Sequence, residues 1–170
     1  MSPLHTISLG CGLLLLPFLV APPTDVPTDP PKANRYIGAK ACKNCHKGDA
    51  KGAAHEKWSK GPHAGAYKTL ATEDAKAAAK AAGIEDAQKD AKCLKCHTTA
   101  HGVDKKEIKR GFKATDGVQC ESCHGPGENH FKIRFKESMG KGDPSPVGAD
   151  EIISSPDAKT CTKCHNKESP

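Results

Sequence analysis

Large aliphatic and aromatic side chains are nearly missing from this chain once its first twenty-one residues are set aside. The 149 residues from Pro22 onward contain two Leu (Leu70 and Leu94), six Ile, four Val and three Phe. That is roughly a tenth of the segment, less than a chain this charged normally needs to fold alone. An ordinary hydrophobic core is therefore excluded, and a small protein of this kind depends on disulfides, metals or a large cofactor. One Trp, two Tyr and four Phe in the whole chain are too few for the interleaved stacking platforms of a nucleic-acid binder. Long apolar runs are missing too. The longest, Ile7 to Val20, has fourteen residues, against the roughly twenty that a transmembrane helix needs.

Fourteen apolar residues suit the core of a signal peptide, so residues 1–21 read as a signal peptide or a short N-terminal anchor. No Lys or Arg precedes the run, and Pro22 follows Ala21 at the expected cleavage point. Residues 22–35 form a Pro-rich linker, of which “PPTDVPTDPP” is extended and polyproline-like. The folded domain is expected over residues 36–170. The formal charge of +6 and pI near 8.8 describe dispersed lysines on a solvated face, and basicity by itself points to no partner.

Of the nine cysteines, Cys11 lies in the leader. The other eight form four pairs: “CKNCH” (Cys42, Cys45, His46), “CLKCH” (Cys93, Cys96, His97), “CESCH” (Cys120, Cys123, His124) and “CTKCH” (Cys161, Cys164, His165). Zinc ribbons, thioredoxin-like dithiols and c-type haem attachment all use Cys-x-x-Cys. The histidine that follows separates them. With nine histidines among 170 residues, chance would place one after all four pairs with a probability on the order of one in a hundred thousand. Zinc has no need of a histidine fixed there, and a redox dithiol is not needed four times. Haem attachment uses all five positions: two thiols add to the vinyl groups, and the adjacent histidine reaches the iron. Four covalently bound haems c are thus expected, with His46, His97, His124 and His165 as proximal ligands. No cysteine after the leader is left for disulfides, so the porphyrins themselves supply the missing apolar surface. Haem attachment occurs outside the cytoplasmic membrane, which places the protein in the periplasm or otherwise beyond that membrane.

Four histidines remain after the leader takes His5: His55, His63, His101 and His130. One extra histidine per haem is the count for bis-histidine irons, against the alternative that each is a solvated surface residue. His101 follows His97 too closely to cap the same haem, though it can reach a neighbour. His55 and His63 flank Trp58, which is expected to pack on a porphyrin. Met139 is a weaker ligand candidate. Thr72 is expected to cap a helix over “EDAKAAAKAAG” that ends at Gly83. A second helix is expected near residues 85–96 and a third over residues 129–138, with residues 139–150 as loop. Gly61-Pro62 breaks any helix before His63. The fold class is mainly α with extensive coil, a small multihaem c-type cytochrome fold wrapped around four covalently attached haems.

The segments “CKNCHKG…KWSKGPHAGAYKTL”, “CLKCHTTAHG”, “GVQCESCHGPGENH” and “CTKCH” resemble, in order and style, the tetrahaem cytochrome c-554 family. The resemblance runs from Tyr36 to Asn166. It implies an α-helical, periplasmic domain with closely packed haem pairs that relays electrons from an oxidising enzyme to later carriers. It also implies that His63 and His130 are distal ligands to haems other than those of their own segments. The haem at His97 would be five-coordinate. In the family the remaining distal histidine lies in a long segment after the fourth motif, whereas here five residues follow His165. His55, His101, an open iron or a second subunit would then fill that place.

Electron transfer is accordingly the expected function, with other cytochromes or a haem oxidoreductase as partners. No nucleic acid is expected, a membrane tether would run through the N-terminus, and the oligomeric state stays open. One alternative is a haem enzyme or ligand-binding protein acting on nitrogen oxides or peroxide at one five-coordinate iron. No Cys-x-x-Cys-Lys variant or acid–base constellation accompanies it. A second alternative is a polymeric multihaem wire.

Overall fold

Short helices separated by glycine and proline make up the chain. The computed structural model describes residues 33–167 and residue 169; the leader and residues 22–32 of the linker lie outside the described residues. The helices are α1 (Ala39–Cys42), α2 (Ala54–Lys60), α3 (Pro62–Thr69), α4 (Glu73–Ala81), α5 (Ala91–His97), α6 (Cys120–His124), α7 (Glu128–Ser138) and α8 (Ala158–Thr162), with 3-10 turns at Asp49–Lys51, Lys105–Glu107 and Ala114–Asp116. Among the described residues there is no strand, only an isolated parallel bridge between Tyr36 and Ile108. The mainly α fold with extensive coil expected from the sequence is what forms. No helix among the described residues is long and apolar enough to cross a membrane.

Local chemistry sets the breaks. Thr72 caps α4 by accepting from Ala75 N–H at 3.3 Å, and Gly83 sits just past the helix at φ +68°, as its sequence implies. Gly61 ends α2 in an extended conformation and Pro62 opens α3 at its first position, where a missing N–H costs nothing. The helix expected from residue 85 starts instead at Ala91. Asp86 turns its carboxylate onto the N–H of Gln88 (2.9 Å), a local bond that competes with helix formation, and Asp90 caps α5 through Lys92 N–H (2.8 Å).

Ala39, Leu70, Ala79 and Ala87 are the buried apolar residues among those described, while Thr98, Thr99, Gln119, Glu121, Glu128 and Glu151 are the buried polar ones. Three of the apolar four form a small cluster edged by Tyr67, Ile84, Cys93 and Leu94. A framework that buries more carboxylates than leucines is held by hydrogen bonds. Asn34 and Arg35, at the end of the linker, are part of it: Arg35 makes a bidentate pair with Glu128 at 2.6 and 2.8 Å, and Asn34 Oδ1 accepts from Asn129 N–H at 2.9 Å.

Candidate haem-binding site

All four Cys-x-x-Cys-His motifs form helical turns, so the two thiols of each, three residues apart, share a face. α5 and α6 contain the second and third motifs whole. After α1 the turn continues through His46 N–H to Cys42 C=O (3.0 Å), and after α8 through His165 N–H to Cys161 C=O (2.9 Å). The motifs also adjoin one another. The Cys42 thiol donates to Gly38 C=O at 3.7 Å; its interaction with Cys120, ahead of burial, pushes Cys42 up and lowers Cys120. Cys123 lies close enough to Cys161 to feel its charge. Cys164, pushed up to about 11 by burial and then by its hydrogen bond, meets Cys96. By these electrostatic influences the motifs neighbour one another in the order first, third, fourth, second.

The imidazoles fall into two groups. The Nδ1 of His97 donates to Ala66 C=O at 2.8 Å, and that of His124 to Ile153 C=O at 2.7 Å. A carbonyl can only accept, so the proton sits on Nδ1 and the Nε2 lone pair is free for a metal, the arrangement usual for ligating histidines. His46 and His165 instead face second imidazoles. The His46 and His130 ring centroids are 6.2 Å apart with planes at 27°, and those of His63 and His165 are 6.1 Å apart at 55°. Two imidazoles bound to opposite sides of one metal ion, with bonds of about 2 Å, have centroids about 6 Å apart. Both pairs have the centroid separation that two imidazoles sharing one iron would need. Among the described residues no group of three His, Cys, Asp or Glu converges as a zinc site requires.

His63 is held from the third motif's approach segment. Its carbonyl accepts from Val118 N–H at 2.9 Å, and Trp58 Nε1 donates to Val118 C=O at 2.8 Å. Gly117 makes that approach workable: its φ is +79°, and a Cβ there would stand 2.5 Å from the His63 carbonyl oxygen. Gln119, 2% exposed, fastens the same segment to α1 by accepting from Ala39 N–H at 2.8 Å.

His130 lies in the first turn of α7. Glu128 anchors that turn against Arg35, with Lys132 at 2.9 Å and Lys109 at 3.1 Å, and Arg35 above all holds its carboxyl far below the ordinary carboxylate range. Just ahead of α7, Glu121 accepts N–H bonds from Ile37 (2.9 Å), Gly38 (2.7 Å) and Gly127 (2.8 Å). Burial nevertheless holds its carboxyl above the ordinary value. Glu151, 5% exposed, reaches His130 Nδ1 at 3.3 Å.

The other candidates stand apart. The His55 ring lies 5.4 Å from Trp58, centroid to centroid, and its backbone N–H donates to the His46 carbonyl at 3.0 Å. His101 is exposed on a turn where Ala100 and Gly102 have positive φ. Met139 is 56% exposed. Neither His55 nor His101 faces another imidazole among the described residues. The carbonyls of Ala66 and Ile153 and the carboxylates of Glu121, Glu128 and Glu151 carry no local sequence signal, because each meets its partner across distant segments or through backbone.

Helical Cys-x-x-Cys-His turns, with imidazoles poised for a metal and almost no apolar core, define a c-type cytochrome. The family model described as “Cytochrome c554 and c-prime” matches residues 41–125, which include the first three motifs and stop before His130. Cytochrome c-554 of Nitrosomonas europaea is 32% identical over 133 residues, covering 72% of this chain and 51% of that protein. The chain belongs to the cytochrome c554 family, and haem c bound through cysteine thioethers is its cofactor. It spans about half the length of that relative. No solved structure matches it.

Proposed function

We propose that the chain is an exported electron carrier with four haems c, attached through Cys42 and Cys45, Cys93 and Cys96, Cys120 and Cys123, and Cys161 and Cys164. His46, His97, His124 and His165 are the proximal ligands. His130 is the distal ligand opposite His46, and His63 the distal ligand opposite His165. The observation that carries this reading is that two motif histidines each face a second imidazole brought in from a remote segment, His46 facing His130 at 6.2 Å and His165 facing His63 at 6.1 Å between ring centroids. Each haem, when bound, supplies a one-electron ferric–ferrous couple. The chain's part would be to hold the four motifs, to fix the imidazoles of His97 and His124 through Nδ1, and to offer His46 and His165 a second imidazole each. The lysine-rich surface suits docking to acidic faces of other cytochromes or of a haem oxidoreductase.

A second reading, binding of nitric oxide or a similar small ligand, rests on His97 and His124. Among the described residues neither ring faces a second imidazole. His55 and His101 receive no iron in this assignment. Intact mass and haem quantitation of the secreted protein test the count, with four haems per chain expected; two or three would overturn it. EPR of the oxidised protein tests the ligation. Low-spin signals from two bis-histidine centres are expected, and an entirely high-spin spectrum would dismiss it. Cell fractionation tests export, which haem-loaded protein confined to the cytoplasm would refute.

A further inference from the structure

The two facing histidine pairs differ in what stands behind them. Behind His130 is a carboxylate. Glu151 Oε2 accepts from His130 Nδ1 at 3.3 Å, and the same carboxylate takes two bonds from Arg134, Nε at 3.1 Å and Nη2 at 2.6 Å, and one from Gly148 N–H at 3.0 Å. Glu151 is 5% exposed, so solvent does little to screen it. Arg134 sits one helical turn after His130 on α7, where residues four apart share a face. It also bonds Glu137 and the carbonyls of Ser145 and Pro146, which ties the loop carrying Glu151 to the helix carrying His130. Among the described residues, neither ring of the His63–His165 pair meets a carboxylate.

We propose that Glu151 is a positioning residue: it fixes the ring of His130 and raises its electron donation, and so lowers the reduction potential of the iron that His46 and His130 share. The inference rests on the axial assignment proposed above. A carboxylate behind a ligating imidazole fixes its tautomer and makes it more basic, and a more basic ligand favours the ferric iron. Arg134 opposes this by neutralising part of the carboxylate's charge. The arrangement makes the first haem distinct from the fourth although both have two histidine ligands, so an electron shared between these two rests preferentially on the fourth.

The test is a potentiometric titration of the holoprotein, followed by EPR and visible absorption, for the wild type, Glu151→Gln, Arg134→Met and His130→Ala, each with its full haem content. Glu151→Gln is expected to raise one of the four potentials, changing that centre's ferric-to-ferrous ratio about tenfold, or about 59 mV for one electron. Arg134→Met is expected to lower the same potential, because it leaves the carboxylate in place and removes a positive charge. Opposite signs separate tuning from loosened packing, which would move both variants alike. If Glu151→Gln moves none of the potentials, or both variants shift the centre in one direction, the inference fails. His130→Ala guards the premise: loss of one low-spin signal is expected. If all low-spin signals survive it, the axial assignment itself is wrong, whatever Glu151 does.

Discussion

His46 and His165 each face another imidazole, whereas His97 and His124 are each tied by Nδ1 to a backbone carbonyl. The difference is one of origin. A carbonyl anchor uses backbone that is present at every residue, so it asks only that a loop or helix pass nearby: Ala66 of α3 for His97, and Ile153 after the long loop for His124. A facing imidazole needs a histidine brought in from a remote segment and a framework that holds it. For His63 that framework is Trp58, Gly117 and Val118; for His130 it is Glu121, Glu128 and Glu151. Buried polar groups gather where imidazoles must be placed, and this explains why more carboxylates than leucines are buried among the described residues.

The largest effect would come from withholding the cofactor from both halves at once. With Ala39, Leu70, Ala79 and Ala87 as the buried apolar residues among those described, the polypeptide lacks the burial needed to offset its conformational entropy. Chain produced without haem attachment is expected to show neither native helicity by circular dichroism nor a cooperative thermal transition. A sharp transition in haem-free protein would mean that the hydrogen-bonded framework stands by itself.

Next in size are the single ligands. His63→Ala and His130→Ala are each expected to convert one low-spin haem to high spin in EPR, while His55→Ala and His101→Ala change none. Carbon monoxide titration of the ferrous protein reads the same comparison from the other side. The wild type is expected to bind it at the irons of His97 and His124, and either distal variant to take up one further equivalent. A wild type that binds none would erase the distinction between the two groups.

The candidate ligand positions stand out in the sequence, and the residues they meet in the fold do not. Four repeats of Cys-x-x-Cys-His mark candidate attachment sites, because haem attachment chemistry is local and covalent. His63 and His130 stood out through likeness to a family, not through spacing. Which imidazole each faces depends on contacts between residues far apart along the chain. The α4 cap at Thr72 and the break at Gly61-Pro62 followed from single residues. The region 85–90 misled because its helix-forming composition competes with the side-chain turn at Asp86. Nothing local marks Gln119 or Glu151 as buried; both are polar residues in polar stretches, and only the folded chain closes over them.

Gly117 allows one side of the comparison to be disturbed alone. A methyl group there would meet the His63 carbonyl oxygen at 2.5 Å and that of Ala64 at 3.0 Å, at a φ of +79°. Gly117→Ala is expected to cost about 1–3 kcal/mol in denaturant unfolding and to broaden or shift the low-spin signal of the His63–His165 centre. The His46–His130 signal should stay as it was. Equal disturbance of both would show that the two frameworks are coupled.

Glu121 offers the smallest and most selective probe, because it joins α6 to the segment leading into α1 and to Gly127 ahead of His130. Burial is the main influence on its carboxyl and raises it above the ordinary value, while the N–H groups of Ile37, Gly38 and Gly127 pull the other way. A carboxyl raised in the folded state binds its proton more tightly there than in the unfolded chain. Its contribution to stability is therefore full below the unfolded value, about 4.3, and declines as pH rises through the folded one. Glu121→Gln removes that dependence, but its amide must turn N–H against at least one of the three donors. The variant is expected to lose about 1–3 kcal/mol, with a flatter dependence of stability on pH just above the ordinary carboxylate range. Denaturant unfolding at a series of pH values measures both. A variant that keeps the wild-type slope would assign the titration to another group. The axial asymmetry is expected to survive, since Glu121 touches the backbone around the first and third motifs and none of the four facing rings.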